Sequence, residues 1–119
     1  MITSTHVIIF AEEAEQTRAF FRDVLGLKSV DTGDGWLIFK LPPAELGIHP
    51  SGDGPDSGTH ELYFMCDDVE ATVADLTGKG VEFTTPIHEE GFGLITTLRI
   101  PGGGTVGLYQ PKHASGCDL

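Results

Sequence analysis

HELYFMCDDVEATVADLTGKGVEF, residues 60–83, is the stretch that decides the fold. It opens with a run of apolar and aromatic residues, after which Val69, Val73 and Leu76 recur at the spacing of one helix face, ahead of Gly80. The reading is a strand over 60–66, a helix over 69–79 capped by Gly80, and a strand over 81–84. Asp67 and Asp68 belong at the helix entry, where carboxylates accept from free backbone amides and lie favourably in the helix dipole.

Upstream, HVIIFAEEAEQTRAFFRDVLGL (residues 6–27) has the same order. His6 and His60, Phe10 and Phe64, and Gly26 and Gly80 are each 54 positions apart, which marks two copies of one unit. The first copy predicts a strand over 5–10 and a helix over 11–25, with Thr17, Phe20, Phe21, Val24 and Leu25 on its apolar face. A hairpin of 27–32 and 36–40 follows, and then a short strand over 45–49. The second copy closes with strands over 94–100 and 105–110 around a Pro-Gly-Gly-Gly turn, whose glycines can take positive φ. Gly47 and Gly107 in the two closing strands lie 60 apart, so the second copy holds six more residues, assigned to the loop over 89–93.

The turn-rich stretch after His49 separates the copies. The predicted organisation is one domain over 1–119, with a first βαβββ module and linker over 1–58 and a second module with its tail over 59–119. Each module covers one side of its sheet with a helix, so the two open faces are expected to pair into a curved, eight-stranded cleft of an α+β fold.

Seven Lys and Arg against eighteen Asp and Glu give a formal charge of -11, which repels phosphate backbones and anionic lipid and so argues against nucleic acid or membrane partners. No apolar run approaches the ~20 residues of a membrane span, and no secretory signal is visible, so a cytoplasmic protein is expected. Cys66 and Cys117 are the two cysteines and form no CxxC pair, which speaks against a disulfide scaffold or a thiolate zinc site. Asp53 and Asp56 lack the remaining spacing of a calcium loop, and His88 and His113 read as surface residues.

The two quoted stretches, together with IPGGGTVGLYQP at residues 100–111, resemble the vicinal oxygen chelate superfamily of glyoxalases, bleomycin resistance proteins and extradiol dioxygenases. The resemblance implies the paired βαβββ architecture and many possible chemistries. In metal-dependent relatives the ligands come from the first and last strands of each module, which correspond here to His6, His60, Gly47 and Gly107. Both histidines are present, whereas glycines stand where glutamates are usual. A catalytic metal normally takes three protein ligands, so a third donor is needed for Fe, Mn, Ni or Zn; otherwise no metal is held.

Strand alternation puts Glu45, Gly47 and His49 on one face, and Thr105, Gly107 and Tyr109 on another. Glu45 and Tyr109 are therefore the candidate catalytic side chains, with Glu45 also a substitute ligand or base. Glu61 falls opposite His60 and is expected to face the helix side or an edge. The cleft lining is expected from Ile8, Phe10, Trp36, Gly47, His49, Leu62, Phe64, Phe92 and Gly107. Gly91-Phe92-Gly93 reads either as a mobile loop over the cleft or as a plain hairpin turn.

Three functions follow. One is a divalent-metal lyase or extradiol-type dioxygenase built on His6, His60 and a third ligand. Another is a metal-free module that binds a small molecule, its acidic charge suiting a cation. The last concerns assembly: the resemblance implies a homodimer, with modules paired within one chain or across two.

Overall fold

The structure, a computed structural model, describes residues 7–9, 11–47, 60–102 and 104–119. Six strands and two α-helices run through these segments in α+β fashion. The first module contributes helix α1 (Ala14–Ala19), a π-helical turn (Phe20–Val24), β1 (Ser29–Asp31) and β2 (Leu37–Phe39). The second contributes β3 (Tyr63–Met65), α2 (Val69–Gly78), β4 (His88–Glu90), β5 (Gly93–Ile100) and β6 (Gly104–Pro111). No helix among the described residues is long and apolar enough to cross a membrane.

The second module forms a four-stranded sheet in the order β3-β6-β5-β4. Its one parallel pair is β3 with β6, in the register Tyr63 to Gly107 and Met65 to Tyr109. From Thr97 of β5 onward and along β6 the side chains alternate between the two faces, although Ile95 and Thr96 are both buried. Leu98, Ile100, Val106 and Leu108 are 1–4% exposed and pack with Val69 and Leu76 of α2, whereas Thr97, Arg99, Thr105, Gly107 and Tyr109 point to the opposite face. Helix α2 begins where Asp68 accepts from the Ala71 amide at 3.0 Å, and its chain reverses at Gly80 with φ of 89°.

The first helix starts later than its apolar pattern suggests. Residues 11–13 are held by other groups: the Glu12 amide donates to Gly102 O at 3.1 Å, and the buried Thr17 hydroxyl donates to Pro101 O at 2.6 Å. The helix then widens into the π turn, where Leu25 N donates to Phe20 O at 3.1 Å. Widening lets two consecutive aromatics face inward: Phe20 is 8% and Phe21 7% exposed, and Phe21 meets Phe39 at 5.8 Å and Phe64 at 6.2 Å. One core therefore draws on both modules.

The predicted strand over 81–84 is reduced to a single bridge from Phe83 to Leu98, and His88, read as a surface residue, forms β4 with Glu89 and Glu90 of the expected 89–93 loop. Pro86 divides the two pieces because it has no N–H to donate to the ladder. The segment over 89–93 is thus a tight hairpin between β4 and β5, with Gly91 and Phe92 at its turn. The first-module hairpin forms as expected. Its turn is fastened by the Asp31 carboxylate, which accepts from Gly33 N at 2.8 Å and Gly35 N at 3.2 Å. Residues 7–9 and 45–47 form no strand; the remainder of the strands predicted over 5–10 and 45–49 lies outside the described residues.

Candidate functional site

The face of the second sheet turned away from α2 collects the chemistry. Tyr109, on β6, donates its hydroxyl to Glu45 Oε1 at 2.8 Å, joining the two candidate catalytic side chains across 64 positions of chain. The Glu45 side chain is only 18% exposed, and its other oxygen accepts from Ser115 Oγ at 3.2 Å. His113 approaches the same pair, with Nε2 3.4 Å from the Tyr109 hydroxyl and 3.7 Å from Glu45 Oε1. The tail reaches farther still, as Cys117 Sγ lies 3.7 Å from Pro43 O. Burial, and then the neighbouring Glu45 carboxylate, push the Tyr109 phenol up to about 12. Tyr109 is therefore a proton donor throughout the neutral range.

Around Tyr109 stand two more aromatic rings. Tyr63 meets it edge-on at 5.7 Å and 90°, and Phe92, from the β4–β5 turn, at 6.3 Å and 77°. The Phe92 turn is tied to the end of β6, where the Lys112 amide donates to Phe92 O at 2.8 Å and Lys112 pairs with Glu89. Beside Tyr63 a hollow of about 270 Å³ is lined by His60, Glu61, Leu62, Tyr63, Thr97, Thr105 and Gly107. Burial, followed by a hydrogen bond to Glu61, raises the Tyr63 phenol above its ordinary value.

That contact corrects the orientation expected for Glu61. Leu62, Phe64 and Cys66 pack against the core under α2, so Glu61 and Tyr63 share the opposite face. Phe64, expected in the cleft, instead lines a separate hollow of about 230 Å³ between the π turn and α2. Leu62 touches the same core while bordering the Tyr63 hollow. Trp36 is 60% exposed, with the Arg18 guanidinium 4.5 Å from its ring centroid, so it is engaged by α1. Ile8 and Gly47 are exposed. His6, Phe10 and His49 lie outside the described residues. His113, Ser115 and Tyr63, which sequence reasoning did not single out for a site, sit at its centre. His113 and Ser115 follow the last strand, where no periodicity reports direction; Tyr63 needed the β3–β6 register.

The metal positions implied by the resemblance fit poorly. A Cβ at Gly107 would stand 2.0 Å from Tyr63 Cδ1 and 2.2 Å from Cε1, so the space a ligand side chain would need is filled by a phenol ring. Among the described residues no group of three or more His, Cys, Asp or Glu is placed to hold an ion.

The chain compares with known proteins as follows. The sequence profile of the Glyoxalase/Bleomycin resistance protein/Dioxygenase superfamily matches residues 3–108. No curated protein matches. Among solved structures, a member of that superfamily from Sphaerobacter thermophilus superposes with a TM-score of 0.65 at 23% identity, covering 92% of this chain and 98% of its own. TnmS3, an antibiotic binding protein from Streptomyces sp. CB03234, gives 0.63 at 23% identity over 94% of this chain and all of its own. A lactoylglutathione lyase from Agrobacterium tumefaciens gives 0.59 at 19% identity over 91% and 96%. Superfamily members bind small molecules, often dimerise and commonly use divalent metals. With the profile spanning both modules and these folds superposing over nine-tenths of the chain, the protein belongs to the glyoxalase/bleomycin resistance protein/dioxygenase superfamily.

Proposed function

We propose that this protein binds a small, planar organic cation on the aromatic face of its second sheet, without a metal ion. The observation that carries the reading is the Tyr63–Tyr109–Phe92 group, with Glu45 accepting from the Tyr109 phenol and Glu61 beside Tyr63 in the same hollow. Aromatic faces attract cations, and each such contact is worth about 0.5–2 kcal/mol. The net charge of -11 adds a field that draws positive ligands in and turns anions away. The antibiotic binding of TnmS3 supports including antibiotic-sized cations among the ligands tested.

The experiment is a thermal-shift and calorimetric screen of matched aromatic cations, neutral analogues and carboxylates. Cations are expected to bind, and Tyr63→Ala and Tyr109→Ala each to weaken them about tenfold. Equal binding of the anionic analogues, or indifference to both substitutions, would overturn the proposal.

The competing reading, a metal-dependent lyase or dioxygenase, needs a third ligand beside His6 and His60. Tyr63 stands over the β6 position that would supply one. For assembly, the same proposal takes a homodimer, with modules paired within one chain or across two; the core that residues of both modules share within one chain favours the first. A cytoplasmic location completes it, in keeping with two cysteines that remain free thiols.

A further inference from the structure

We propose that Tyr63 is the specificity residue of this site: its ring occupies the volume above Gly107 and thereby excludes a metal ligand from β6. The inference deepens the metal-free reading but stands on separate geometry. Tyr63 and Gly107 are direct partners in the parallel β3–β6 ladder, so their side-chain positions share one height on one face. A Cβ at position 107 would lie 2.0, 2.2 and 2.8 Å from three atoms of the ring, far inside van der Waals contact. The glycine is buried by that ring; its φ is not in the left-handed region, so the backbone itself would accept a side chain. The three nearest atoms in its way all belong to the phenol ring.

The ring is held from one side by Tyr109, which meets it edge-on at 5.7 Å. Swinging it away would break that contact. The lining of the surrounding hollow includes two residue types that can ligate a metal, His60 and Glu61. A carboxylate at position 107 would make a third, the number a catalytic divalent ion normally takes from protein. Tyr63 and Gly107 thus form a matched pair that trades an ion for an aromatic floor.

A double-mutant cycle tests the steric claim and a metal titration tests its consequence. Gly107→Ala should lower Tm by about 5–15 °C. The same change in a Tyr63→Ala background should cost much less, because the obstructing ring is gone. Additive effects would overturn the pairing. Titration with Zn(II), Ni(II) and Mn(II), read by calorimetry and by metal content after dialysis, should show one ion per chain gained by Tyr63→Ala/Gly107→Glu, at least about tenfold tighter than wild type. Gly107→Glu alone should be destabilised and gain none. Stoichiometric metal in the wild type, a gain in Gly107→Glu without loss of Tm, or no gain in the folded double variant would each sink the inference. These outcomes read steric fit and metal, so they are independent of whether an organic cation binds.

Discussion

At the scale of single residues, the bond between Tyr109 and Glu45 governs how the site responds to pH. The Tyr109 phenol is raised above its ordinary value of 10.0 to about 12, first by burial and then by the Glu45 carboxylate. Its protonated form is favoured by folding. The stabilisation is fully present below the unfolded value near 10 and is lost as pH rises through 12. Tyr63 is raised in the same direction and adds to the effect. Phenolate absorbance should therefore show both tyrosines titrating above the free amino acid, with Tm falling across the same window. Glu45→Gln removes the carboxylate's charge and should bring the Tyr109 midpoint down without returning it to 10, because burial remains. An unchanged midpoint would show that Glu45 does not act on Tyr109. Alternation gave Tyr109 a defined face in the sequence, because β6 is a regular strand; Glu45 lies in no strand, and its bond to Tyr109 depends on the path of the chain rather than on alternation. His113 was not legible, since it follows the strand and reaches the pair through the path of the tail.

Among the elements, α2 and β5 answer most directly to their sequence. Asp68 supplies the only side-chain cap found on a described α-helix, and Asp68→Ala should cost about 1 kcal/mol, read by denaturant unfolding. Leu98, 1% exposed at the middle of β5, packs among both modules' residues, and Leu98→Ala should cost about 2–5 kcal/mol. A loss for Leu98→Ala no larger than that for the cap would mean that β5 is not central to the core. The elements that sequence reading misplaced share a physical cause, namely tertiary contacts outweighing local pattern. Residues 11–13 carry helix-compatible chemistry but are drawn to the β5–β6 turn by the Glu12 amide and the Thr17 hydroxyl. The strand expected over 81–84 shrinks to one bridge, and beyond Pro86 a separate short strand forms at 88–90, a stretch whose charged composition gives no apolar alternation to read.

For the whole molecule, the 54-residue offset is read as two copies of one unit because helices and their glycine caps would recur wherever such a unit recurs. It could not report how the copies pack, since that depends on which aromatics meet across the chain. Phe21 answers part of the question, lying against Phe39 of its own module and Phe64 of the other. With nine buried residues of both modules in one cluster, neither half keeps an intact core when the other opens. Unfolding should accordingly be a single transition, coincident by far-UV dichroism and by the fluorescence of Trp36 in the first module. Phe21→Ala should lower stability by about 3–5 kcal/mol while leaving the transition single. Two separated transitions, or a Phe21→Ala loss confined to the Trp36 signal, would mean that the modules fold independently. If the chain is also a homodimer, Tm must rise with protein concentration, because mass action favours the associated native state. A Tm independent of concentration, with a monomeric mass by light scattering at micromolar concentration, would overturn the homodimer and leave the Tyr63–Tyr109 face as one chain builds it, with Glu45 and the C-terminal tail.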